Sequence, residues 1–379
     1  MRRRRQDVGC GIRGLNMERQ RFPWKSASIG LYGTWVAAVL MCVLPTGLPA
    51  RAHATEPMPH EAYLLGAAFA QERVWILSNT GVVSSIEPQG EQRSLEELPE
   101  RALDLCVSDG QPAVITIGDD AWSFRRREGQ FWTVTATAPF EGDDFKAMHC
   151  GNEATLMLTS TRLIELGAHG LARVVKLSGE SLDARHIRDV YDEGKTLLLG
   201  LDDGEFGGGV LRVDKFTGAV STLPKASKEW KDDPKTLALI PVFAITAEPW
   251  NARCAALAAG LAHMFMEQGR IVEVCGNELR TIYERPSSTT SANHTPEFDP
   301  DRTTAFYGVT QSGGALWAIS KDAVYRIDAS GNATPYPAPH YKNVDGVDVS
   351  FDNPAFVLVV AVFDQGPLTN RALPILVPR

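Results

Sequence analysis

The sequence contains no CxxC, no GxSxG and no HExxH, and past residue 55 no run reads as a long amphipathic helix. The first absence argues against a zinc-ribbon or thioredoxin-like site. The next two remove the hydrolase nucleophile elbow and the zincin helix. The last argues against a helical or α/β fold. Cysteine is also scarce, with six in 379 residues. Basic residues become scarce once the N-terminus is set aside. There, Arg2 to Arg5, Arg13, Arg19, Arg21 and Lys25 precede an apolar run from Ile29 to Leu44, followed by Ala52 and Ala54 in the small-residue positions of a cleavage site. This is the three-part pattern of a secretory signal peptide over 1–54, with Met1 or Met17 as its start. The apolar run is short and Gly/Pro-flanked, so no stable membrane insertion is expected. Residues 55–379 keep 29 basic and 44 acidic side chains, a net charge of −15. Such a surface repels phosphate backbones and excludes nucleic acid as a partner.

What is present is repetition. Short β-rich runs begin near residues 73, 113, 154, 196, 253, 315 and 355, each an apolar strand, a polar turn and a second strand. An all-β period near forty residues indicates a β-propeller. Two units read completely as four strands: "ALDLCVS", "PAVITIG", "AWSFRRR", "FWTVTAT", and then "FKAMHCG", "ATLMLTS", "RLIELGA", "ARVVKL". Counting gives a seven-bladed propeller of four-stranded antiparallel blades over 55–379, expected as a monomer. The last blade lacks a fourth strand, which the segment from Pro57 to Leu65 is expected to supply, closing the ring.

The stretch "LWAISKDAVYRIDASGNATPY", 316–336, resembles the repeat of two-component-regulator-type, YVTN-like propellers: apolar-x-apolar, an Asp or Gly turn, aromatic-Arg-apolar-Asp, then Gly. "LLLGLDDGEFGGGVLRVDKFTG" is similar with an insertion, and "VWILSNTGVVSSIEPQGE" more loosely so. The resemblance implies the propeller fold. It implies little about function, because propellers carry binding modules and unrelated enzymes alike.

The blade frame places Cys106 and Cys150 at equivalent innermost-strand positions of adjacent blades, and Cys254 and Cys275 on the two middle strands of the fifth. It pairs them as 106–150 and 254–275, two structural bridges of an exported protein. Buried free thiols are the alternative.

Connections in a propeller alternate between two faces. Sorted that way, the insertion 202–209, the turns 261–269 and 363–370, and the links 224–241, 285–303 and 336–346 all fall on one face. Long loops on a rigid scaffold are where binding usually sits. The insertion "DDGEFGGG" brings Asp202, Asp203, Glu205 and Phe206 there, as a polar-ligand or divalent-cation site or as a solvated turn with a bulge. His186, His263, His294 and His340 sort to the same face, as do Asp299 and Asp301, and form either a metal or acid–base site or ordinary loop polarity. "DPDRT" lacks the glycine and terminal glutamate of an EF-hand loop. Trp230 and Trp250 lie on or near long links and suit stacking on a sugar ring or a partner, or simple anchoring. Trp75, Trp122, Trp132 and Trp317 sit at strand positions and are expected to pack blades.

The expectation is an exported, periplasmic or extracellular propeller that binds a protein, glycan or small polar ligand through its long-loop face. A hydrolase or lyase using His and carboxylate groups there, with a divalent cation, is the second reading. A scaffold of an envelope complex is the third. Whether the chain is an enzyme stays open.

Overall fold

The computed structural model describes residues 64–87, 93–151, 154–167, 170–223, 240–263, 266–286, 303–320, 322–337, 346–350, 356–362 and 375–378. The segment 1–54 and most of the links 224–241, 285–303 and 336–346 lie outside them. The strands fall into seven sheets. The first holds β1 (Leu64–Ala70), β2 (Arg73–Ser78), β3 (Val83–Ile86) and β4 (Arg93–Leu95). The second holds β5 (Arg101–Ser108), β6 (Gln111–Ile117), β7 (Ala121–Glu128) and β8 (Phe131–Pro139), and the third β9 (Phe145–Cys150), β10 (Thr155–Thr159), β11 (Arg162–Gly167) and β12 (Gly170–Lys176). The fourth combines β13 (Ser178–Gly179), β14 (Ile187–Asp192), β15 (Thr196–Asp202), β16 (Gly208–Asp214) and β17 (Ala219–Thr222). The fifth holds β18 (Val242–Ala247), β19 (Cys254–His263), β20 (Met266–Cys275) and β21 (Glu278–Tyr283), and the sixth β22 (Phe306–Ser312), β23 (Ala315–Ser320), β24 (Ala323–Ile327) and β25 (Ala333–Pro337). The seventh has β26 (Gly346–Ser350), β27 (Phe356–Val362) and β28 (Ile375–Pro378).

Burial follows strand position, as expected when each sheet is covered by its neighbours on both faces. The second strands are buried almost throughout: β2, β6, β10, β15 and β23 carry apolar side chains on both faces. The outer strands β8 and β25 alternate or open to solvent. The core is a series of apolar layers, one between each pair of neighbouring sheets from the first to the sixth. Trp75, Trp122 and Trp317 are buried within or beside these layers, and Trp132 meets Trp75 edge-on at 5.9 Å. Each buried large apolar side chain contributes about 1.5–3 kcal/mol. The first strands of successive sheets touch in a ring: β1 to β5, β9, β14, β18, β22, β26 and back to β1.

Two expectations are corrected. Six sheets have four or more strands, whereas the seventh shows three among the described residues. Leu64 and Leu65 do not complete that last sheet; they open β1, the innermost strand of the first, and Pro57 to Tyr63 lie outside the described residues. The fourth sheet gains a strand instead, because the link after β12 pairs Ser178 and Gly179 in parallel with β17. The expected long turn 261–269 is mostly hairpin, since the β19–β20 ladder runs on to His263↔Met266.

Candidate functional site at the channel mouth

The innermost strands share one irregularity. Register shifts skip Leu65 in β1, Leu103 in β5, Lys146 in β9, Arg188 in β14, Phe243 in β18 and Tyr307 in β22. β26 runs in unbroken register with β27. A bulge leaves one residue without a ladder partner and re-aims its side chain. All six skipped residues line one central cavity of about 820 Å³. Their chemistry changes around the ring, from Leu65 and Leu103 through the cations Lys146 and Arg188 to the aromatic pair Phe243 and Tyr307, whose rings lie 5.2 Å apart. Tyr307 is 4% exposed, and burial pushes its hydroxyl well above the usual phenol range.

The residue after the bulge fixes the geometry in two sheets. Asp104 Oδ1 accepts from the Leu105 N–H at 2.8 Å, and Oδ2 from Met148 on the next innermost strand at 3.0 Å. Asp189 does the same one sheet pair further on, accepting from Val190 at 2.8 Å and from Ile245 at 2.6 Å. These carboxylates tie neighbouring blades together. Burial raises the Asp189 carboxyl above its ordinary value, against its two backbone donors and the nearby His149 and Arg188. Lys146 Nζ donates to the Asp183 carbonyl at 2.5 Å.

The acidic insertion sits at the rim, where β15 ends beside the start of β14. Asp202 lines the cavity and accepts from the Gly204 N–H at 3.2 Å. Asp203 accepts from Arg185 Nη1 at 2.8 Å and from the His186 N–H at 3.2 Å, so it anchors the chain entering β14. Gly204–Phe206 form a single 3-10 turn, and Phe206 is 87% exposed. The glycines serve a close approach of the chain to itself. Gly207 has φ 149°, and a Cβ at Gly208 would sit 2.1 Å from the Ile240 carbonyl oxygen, to which Gly209 N–H donates at 3.1 Å.

Of the other residues singled out in the sequence, the side chains of Glu205 and His263 lie outside the described residues, as do Trp230, His294, Asp299, Asp301 and His340. His186 is at the rim with its side chain 84% exposed, and His149 lines the cavity. Trp250 is half-buried against the layer between the fifth and sixth sheets. Both cystines form as paired in the sequence, Cys106–Cys150 and Cys254–Cys275. Among the described residues, the one group of three or more possible metal ligands is Glu248, Cys254, Glu273 and Cys275, far from the insertion. The bulge residues were missed. Aligning the innermost strands on apolar cores such as "LLGAAF" and "ALDLCV" would not reveal them, but setting Leu65, Leu103, Lys146, Arg188, Phe243 and Tyr307 in one column does.

No family model matches the chain, and no curated protein matches it. Solved structures do. The WD40 domain of Neurospora crassa Pan2 is similar with a TM-score of 0.51 and 9% identity, over 80% of this chain and 87% of that one. The extracellular domain of the putative one-component system BT4673 from B. thetaiotaomicron gives 0.48 and 11%, over 82% of this chain and 38% of that chain. YCF48 from Cyanidioschyzon merolae gives 0.48 and 16%, over 81% and 95%. At 9% identity the likeness to the Pan2 domain shows the fold alone, and with the sheets described above the chain is a β-propeller of four-stranded antiparallel blades.

Proposed function

We propose that this chain is an exported propeller binding module, with β26–β28 as its seventh blade, that takes a small anionic ligand with an apolar or ring-shaped body into the channel through the long-loop face. The observation that carries the reading is the ring of six bulges, which turns two cations, two aromatic rings and two leucines toward one cavity. A pocket of this kind orients a ligand by a few polar groups and binds it by apolar contact. Two disulfides support an oxidising compartment. Among the described residues, no helix is long and apolar enough to cross a membrane.

The test uses benzoate and naphthalenesulfonate as probes against neutral benzyl alcohol, read by saturation-transfer NMR on the purified protein. The anions are expected to bind, and the Lys146→Gln/Arg188→Gln double variant to lose them while keeping its melting temperature. Equal binding by the double variant, or binding of the neutral probe alone, overturns the reading.

A further inference from the structure

A second constellation lies at the other end of the strands. Cys254 and Cys275 face each other across β19 and β20, with Cα atoms 4.5 Å apart. The pair two residues along is Ala256↔Glu273, so Glu273 shares the face of the cysteines. The turn after β18 places Glu248 over them. Glu248 N–H donates to the Cys254 carbonyl at 3.0 Å, Cys254 N–H to Asn251 at 2.9 Å, and Asn251 Nδ2 to Cys254 Sγ at 2.8 Å. One possible ligand atom from each of Glu248, Cys254, Glu273 and Cys275 lies within 4.8 Å of the others.

The two carboxylates are held unequally. Arg280 donates twice to Glu273, at 2.9 Å each, and keeps its carboxyl below the usual range. Glu248 is 2% exposed, with the Trp250 side chain and the Glu273 carboxyl as polar neighbours. Two carboxyl groups packed together in a buried site cannot both ionise freely, and a bound cation would offset their repulsion. Two thiolates and two carboxylates would make an S2O2 donor set, which favours zinc-class ions over magnesium or calcium. In the disulfide the sulfurs are tied to each other and are no longer thiolate ligands.

We propose that Glu248, Cys254, Glu273 and Cys275 form a redox-gated site for one zinc-class ion, open when the Cys254–Cys275 bond is reduced and closed when it forms. Closure is a thiol–disulfide exchange with a small or protein disulfide as oxidant. One Cys thiolate attacks that disulfide, and the second Cys thiolate then attacks the mixed disulfide. The Cys254–Cys275 bond forms, the oxidant's S–S bond breaks, and two electrons pass to it. The oxidant leaves as two thiols after taking up two protons, and the divalent ion is released. Reduction by a dithiol runs the same steps backwards.

The experiment loads protein reduced with a phosphine with Zn²⁺, removes free ion by gel filtration and measures bound metal. Reduced wild type is expected to carry one equivalent more than reduced Cys254→Ser/Cys275→Ser, and Glu248→Gln to weaken binding by at least about tenfold. Adding oxidised glutathione should release that equivalent. Cd²⁺ titration of the reduced, unmutated protein gives a second readout, the thiolate-to-cadmium charge-transfer band, which needs no variant to fold. Equal zinc in wild type and the cysteine variant, unchanged affinity in Glu248→Gln, or absence of the cadmium band overturns the proposal.

Discussion

The two acidic groups at opposite ends of the strands make an instructive pair. At the mouth, Asp202 and Asp203 stand in a dense acidic run, yet their oxygens already accept from Gly204, Arg185 and His186. Beyond the far end of β18, Glu248 stands alone in sequence, and it is buried against a second carboxyl, that of Glu273. Local density of acidic residues therefore does not mark a site. Desolvation beside a second carboxyl does, because it leaves a repulsion for a ligand to relieve. The mouth insertion is a fastening that helps shape the rim. The far cluster is held together but electrostatically incomplete.

The sharpest way to break this comparison is at the glycines. If the insertion is a fastening, Gly208→Ala drives a Cβ into the backbone of Ile240, which cannot yield as a flexible side chain would. The expected loss is about 3 kcal/mol, the upper part of the usual overpacking range. Urea unfolding would read it. An unchanged midpoint would mean the loop moves freely away from Ile240, and the rim would then be adaptable.

A somewhat smaller effect is expected at Glu248, with the opposite sign. The folded protein holds this carboxyl protonated up to about pH 7, whereas the unfolded chain ionises it near the ordinary value of 4.5. Above that ordinary value the unfolded state releases a proton that the folded state keeps, so wild type loses stability as pH rises to about 7 and no further above it. Glu248→Gln removes the loss. In the oxidised protein, the variant should match wild type near pH 4.5 and exceed it at pH 8 by about 1–3 kcal/mol. A gain independent of pH, or a loss at pH 8, would show that Glu248 is satisfied in solution.

Much of the fold was legible because propeller packing leaves a one-dimensional trace. Covered middle strands such as "PAVITIG" and "ATLMLTS" are apolar on both faces, and their spacing repeats. That frame was enough to pair the four cysteines. It could not show the bulges, since a one-residue offset at Lys146 or Arg188 leaves the apolar pattern around it intact. Nor could it join Glu248 to Glu273. Only the register Ala256↔Glu273 and the turn after β18 bring them together. The stretch 261–269, "LAHMFMEQG", was expected as one long turn, whereas its ends pair residue by residue as far as His263 and Met266.

The smallest expected effect is also the most direct check on the mouth. Asp203→Ala removes one acceptor for Arg185 and one for the His186 N–H. Arg185 is partly exposed, so screening limits the ion pair, and the total is expected near 1 kcal/mol, about a degree or two in melting temperature. Millimolar calcium or magnesium should shift neither wild type nor the variant, because the Asp203 charge is already neutralised by Arg185. A cation present at a hundred times its dissociation constant would add about 2.7 kcal/mol, well above what a melting curve resolves. A rise with calcium in wild type that disappears in Asp203→Ala would therefore mean that Arg185 yields its carboxylate to the ion. The two acidic groups would then be alike in kind, and the distinction between a fastening and an incomplete site would fail at its nearer end.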